Sequence, residues 1–249
     1  LPPHAPYNPH GDFVDHFKND HNRMKEDNPH PFFSQDYPLG NLNKWKDHYD
    51  EFILNVDREF ARLFDYLEQR GVLDNTWVIL TSDHGELFER GIMGHLTPAM
   101  YQAVIRIPLV IFEPGRVERL DITQNTSGTD IHPTLLSIAG KPIPDWIEGQ
   151  VLPPFNQAGL DPEREIIAMR ARGAGKTDPI HKASVMLVKG RTKIVYYFVF
   201  KEIQDQGDYV EVFDLANDPD EINIYIIKKN GLIPRQPYPT IDFEWGLWE

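Results

Sequence analysis

Residues 74–115 read DNTWVILTSDHGELFERGIMGHLTPAMYQAVIRIPLVIFEPG, and this stretch decides the fold. A turn-forming Asp-Asn-Thr feeds the apolar run Trp77 to Thr81, and a second apolar run, 105–115, closes on Pro114-Gly115. Short runs rich in β-branched and aromatic residues, bounded by turn residues, predict strands buried on both faces. Residues 77–81 and 106–112 are therefore expected to be neighbours, or near-neighbours, in one sheet. Between them lie Asp83, His84 and Gly85, at the carboxyl end of the first strand, and then His95 and Thr97. Open α/β sheets collect their reactive groups at such strand ends, where loops vary without disturbing the core.

Working outward, Phe52, Ile53, Val56, Phe60, Leu63, Phe64 and Leu67 keep helical spacing, which predicts a helix from Tyr49 to Arg70 with Gly71 as its C-terminal cap. This helix is expected on the face of the sheet. TDIHPTLLSIAG (129–140) reads as a short helix stopped at Gly140, and KPIPDWIEGQVLPPF (141–155) as a Pro- and Gly-rich connection. Beyond it, EIIAMRA, ASVMLVKG, TKIVYYFVF and DYVEVFDL are strand-like runs without crossover helices, so an antiparallel sheet is predicted for about 160–215. The expected organisation is an α/β core over 1–154 and a small antiparallel-sheet subdomain with a tail over 155–249.

A chain of 249 residues with 41% hydrophobic content can bury a sizeable core. The net charge of −13 argues against a nucleic-acid partner on electrostatic grounds. No apolar stretch reaches the ~20 residues of a membrane span. With no cysteine there is no disulfide, no zinc-thiolate cluster and no Cys nucleophile. Localisation and oligomeric state are not encoded in any pattern here. Residues 1–48 are loop-rich and hold six of the ten histidines, so they either wrap the surface or line a site. The opening LPPHAPYNPHGDF has neither Met nor a signal pattern, which suggests a fragment.

A carboxylate and an imidazole converging from one tight turn suit a divalent ion of intermediate hardness. An isolated Asp-His pair is nevertheless more often a turn cap beside a half-buried loop histidine. His4 and His95 alone are ordinary loop residues. The ordered ensemble changes that weighting.

Residues 74–115 resemble the sulfatase family of the alkaline phosphatase superfamily. The likeness continues in TDIHPTLLSIAGKPIPDWIEGQVLPPF (129–155), in YVEVFDLANDPDEINIY (209–225), and in LPPHAPYNP (1–9), which is similar to the family segment whose histidine contacts the sulfate. The resemblance implies a layered α/β, alkaline-phosphatase-like core with a mainly parallel or mixed sheet, plus a smaller C-terminal subdomain with an antiparallel sheet. It implies metal-dependent hydrolysis of sulfate monoesters, on a small-molecule or saccharide ester. Asp83 and His84 would ligate the metal. The family often has Asp-Asn there with Ca2+, while Asp-His occurs among phosphonate monoester hydrolases that use Mn2+. His4 and His95 would be catalytic, His4 stabilising charge on the ester and His95 standing where many members have a lysine. His4, Arg90, His95 and Thr97 would contact substrate.

Two departures accompany the likeness. Arg90 stands near a position where many members carry histidine. The formylglycine motif, C/S-x-P-x-R, and the paired aspartates that complete the metal site have no counterpart here. Both precede the His-x-Pro-Tyr segment in the family, so they are expected upstream of Leu1, and this chain alone is expected to be inactive with weak metal affinity. The alternatives are a phosphate or phosphonate monoester hydrolase of the same superfamily, or a non-catalytic sulfatase-like module.

Overall fold

The computed structural model describes residues 3–9, 11–18, 24, 28–156, 159, 161, 163–172, 179–206, 209–228 and 231–234. By backbone contact the chain divides into two units, Leu1–Arg119 and Leu120–Glu249. Residues 120–154, expected with the first part, thus group with the second. No helix among the described residues is long and apolar enough to cross a membrane.

The first unit is built on one long helix and one strand pair. Helix α1 spans Leu39–Gln69, starting ten residues before the expected Tyr49. The first turns carry little apolar periodicity and were read as loop. Tertiary contacts hold them instead: Leu42 is fully buried, and the Asn43 side chain bonds both the N–H and the C=O of Met24. At the other end Gly71 adopts a left-handed φ of +66° as expected, and its N–H bonds the carbonyl of Glu68. Gly71→Ala is expected to lower stability by about 1 kcal/mol, because a Cβ is disfavoured in that conformation; a thermal melt showing no change would contradict this.

Strand β1, Val78–Thr81, pairs with β2, Leu109–Phe112, in register Val78↔Phe112 to Thr81↔Leu109. The two runs are sheet neighbours as expected, and Phe60 and Phe64 of α1 pack on Phe112 at ring distances of 6.0 and 4.9 Å. This pair runs antiparallel, an arrangement that a mixed sheet contains. A parallel pair needs a crossover, usually helical, to bring the chain back to the same end. The connection here holds only the four-residue helix α2, Gln102–Ile105. Burial is also less complete than two covered faces require, with Val110 43% exposed.

The second unit begins with α3, Ile131–Ile138, where the expected short helix lies. Its N-terminus is fixed by buried Asp130, which accepts from the backbone N–H of Ser127 and Gln150 and holds a bidentate pair with Arg164 at 2.9 and 3.0 Å. Thr134 bonds the N–H of Leu152, tying the Pro-rich connection to the helix.

A six-stranded antiparallel sheet follows in strict sequence order: β3 Glu165–Arg172, β4 Lys182–Lys189, β5 Thr192–Phe198, β6 Tyr209–Asp214, β7 Tyr225–Lys228 and β8 Gly231–Pro234. The antiparallel expectation holds, and β7 and β8 extend it past 215. One face buries Ser184, Met186, Val188, Val195 and Tyr197. The opposite face is more exposed yet apolar, with Ile167 and Met169 64% and 56% exposed. Buried charges are paired, as burial demands: Lys193 meets Glu221, and Glu211 accepts from Tyr197 and Tyr209 at 2.6 and 3.1 Å.

Candidate active site

Leaving β1, the chain must turn sharply, and three hydrogen bonds to backbone carbonyls shape the loop that follows. Thr81 Oγ1 donates to the carbonyl of Pro108 at 2.9 Å, and the Gly85 N–H donates to Val104 O at 2.7 Å. The Gly94 N–H then reaches Leu87 O at 2.8 Å, folding the segment back so that His95 returns beside Glu86. Leu87, Phe88 and Ile92 are buried beneath this loop and supply its apolar footing.

The result is a cluster of three imidazoles. The His84 and His95 rings lie 3.8 Å apart, tilted by 30°, and the His4 ring meets His95 edge-on at 5.5 Å. Each ring has its Nδ1 tied to an oxygen: His4 to Ala5 O at 2.9 Å, His84 to Gly85 O at 2.8 Å, His95 to Glu86 Oε1 at 3.0 Å. Carbonyl and carboxylate oxygens only accept, so each Nδ1 carries the proton and each Nε2 is left for chemistry.

Asp83 sits at the rim, its side chain 89% exposed, with Oδ2 3.8 Å from His84 Nε2. Its carboxyl is held below the ordinary aspartate range by hydrogen bonding to its own backbone N–H, then by electrostatic interaction with the neighbouring His84 ring and by the His84 backbone N–H. An ionised oxygen facing an imidazole lone pair is a donor pair that fits a divalent cation. The fit is partial, since no group of three or more His, Asp or Glu able to hold a metal occurs among the described residues.

Two further candidates, Arg90 and Thr97, are buried and engaged by neighbours of their own. Arg90 is buried, pairs with Glu89, and stacks 3.9 Å over the Tyr101 ring. Thr97 is 5% exposed, and its hydroxyl accepts from the N–H of Ala99, closing a turn. Conversely, two residues of the cluster escaped the sequence reading. Glu86, its side chain 4% exposed, accepts from His95 and, through Oε2, from the Tyr7 hydroxyl at 2.9 Å. Burial and the Glu86 bond push the Tyr7 phenol well above its usual range, and burial raises Tyr49 beside it. The only signal for Glu86 was its place two residues after His84. Tyr7 lies 79 residues away from Glu86 in sequence, a pairing no local pattern marks.

Comparison with known proteins follows the same residues. The sulfatase family profile matches residues 1–141, and the profile of the C-terminal part of N-sulphoglucosamine sulphohydrolase matches 97–233. Arylsulfatase K of Bos taurus is 32% identical over 177 residues, covering 67% of this chain and 30% of its own length. A structure solved in complex with its substrate D-glucosamine-2-N,6-O-disulfate superposes with a TM-score of 0.55 at 27% identity, covering 75% of this chain and 37% of the other. A Bacteroides fragilis protein described as a sulfatase shares the fold at TM-score 0.69 and 23% identity, over 89% and 47% of the two chains. The chain thus spans about a third of the length of the curated relatives it matches.

Proposed function

This chain belongs to the sulfatase family, and from that premise we propose that Asp83, His84, His95 and His4 form the metal-binding and leaving-group side of a sulfuric ester hydrolase site. The observation that supports it is the convergence of His4 with His84 and His95, across some eighty residues, into one cluster whose Nδ1 atoms carry the internal hydrogen bonds. Asp83 and His84 would hold Ca2+ or Mn2+, and such an ion, when bound, offsets charge on the ester oxygens. His4, in its doubly protonated form, donates its Nε2–H to a sulfate oxygen and steadies the charge that develops there. With its Nδ1–H held by Glu86, His95 acts as the imidazolium, giving its Nε2 proton to the departing alcohol oxygen and ending as the neutral Nδ1–H tautomer. Neither a cysteine nor an S-x-P-x-R motif is present in the 249 residues, so the nucleophile is not among them. A saccharide sulfate as substrate is supported by the neighbour solved with a glucosamine disulfate.

Sulfate and phosphate monoesters share tetrahedral geometry and differ in charge, so the test needs both. In the active enzyme carrying these residues, sulfate esters should be hydrolysed in preference to matched phosphates and phosphonates; the reverse preference would transfer the reading to phosphoryl chemistry. His95→Ala should slow an alkyl sulfate by about 100-fold and an activated aryl sulfate by less than about threefold, because only the poor leaving group needs the proton. Equal losses would remove that role from His95.

A further inference from the structure

We propose that Glu86 is a positioning residue for His95, its carboxylate braced by Tyr7 so that the imidazole is locked in one orientation. This rests on the reading of His95 as proton donor. An imidazole on a loop turns about two side-chain bonds, and a donor that is free to turn spends little time aimed at its acceptor. Errors of about 1 Å in such placement can cost on the order of 100-fold in rate.

The structure removes that freedom from both sides of the ring. His84 stacks against one face at 3.8 Å, and Glu86 Oε1 accepts the Nδ1–H at 3.0 Å in the ring plane's polar edge. Glu86 is itself immobilised. Its side chain is 4% exposed, and its second oxygen accepts the Tyr7 hydroxyl at 2.9 Å. Tyr7, also buried, is wedged edge-on between Tyr49 and Phe88 at 5.5 Å from each, so the brace ends in the apolar core beside α1. A carboxylate withdrawn from water is costly unless both oxygens are bonded. Here both bonds lead from the core to the reacting ring, a continuity that a carboxylate serving only the loop's own backbone would not have.

The test is a double-mutant cycle in the active enzyme, read as kcat on alkyl and aryl sulfates, with the His95 side-chain N–H followed by 15N NMR. Glu86→Ala should lower kcat by about 30-fold on the alkyl ester and less than about threefold on the aryl ester. In a His95→Ala background it should change either rate by less than about twofold. Equal losses on both esters, or undiminished losses in the His95→Ala background, would overturn the proposal. If Glu86→Ala does not fold, Glu86→Gln and Tyr7→Phe replace it; the first keeps an acceptor oxygen and should retain most activity, the second should lose about threefold on the alkyl ester alone. A wild type in which His95→Ala has no leaving-group dependence would sink the proton-donor reading. The NMR arm stands apart from it: a protected His95 Nδ1–H that disappears in Glu86→Ala and is retained in Glu86→Gln supports the brace, and one that survives in Glu86→Ala overturns it.

Discussion

Asp83→Ala is expected to lower ester hydrolysis in the active enzyme by at least about 1000-fold while leaving the melting temperature within about 2 °C of wild type. The two halves of that expectation have separate causes. The side chain is 89% exposed and its hydrogen bonds are local, to the N–H groups of Asp83 itself and of His84, so the fold does not depend on it. The proposed metal role makes the chemistry depend on it. Its depressed pKa means that the ionised form is favoured in the folded state, so the carboxylate remains anionic as pH falls toward the ordinary aspartate range, and protonation sets in below it. Calorimetric titration with Ca2+ and Mn2+ gives an activity-independent check: the variant should bind either ion more weakly than wild type. A variant that keeps a tenth of its activity, or binds metal unchanged, would remove Asp83 from the site.

Gly85→Ala should be the most damaging change to the first unit, costing more than about 3 kcal/mol and disordering the imidazole cluster together with the fold. A Cβ there would fall 2.1 Å from the carbonyl oxygen of Ala103 and 3.1 Å from its carbon. Those atoms are backbone, held by the 2.7 Å bond from Gly85 N to Val104 O, so no side-chain rotation can relieve the clash. Gly71→Ala, where only the far end of Asp74 is near, is the fitting control at about 1 kcal/mol. Chemical denaturation of both variants decides it, and equal stability losses would contradict the backbone-crossing account.

Much of this architecture was legible because it is written locally. Strand runs at 78–81, 109–112, 165–172 and 182–189, the end of α1 at Gly71 and the short helix before Gly140 all follow from side-chain period and turn residues. Those signals act within a few residues of one another, and a single chain carries them in full. The candidate site was partly legible for a related reason. Asp83, His84 and His95 sit in a recognisable order around the strand end, and the structure brings His84 and His95 together with His4. What the sequence by itself determined, then, was the identity and type of most elements, the antiparallel second sheet and the family. The tertiary structure alone decided four things: the antiparallel direction of β1 and β2, the ten extra residues of α1, the burial of Arg90 under Tyr101, and the Tyr7–Glu86–His95 chain. Each depends on partners far apart in sequence. Their association is set by burial and hydrogen-bond satisfaction summed over the whole packed unit, and no local window of residue types contains that sum.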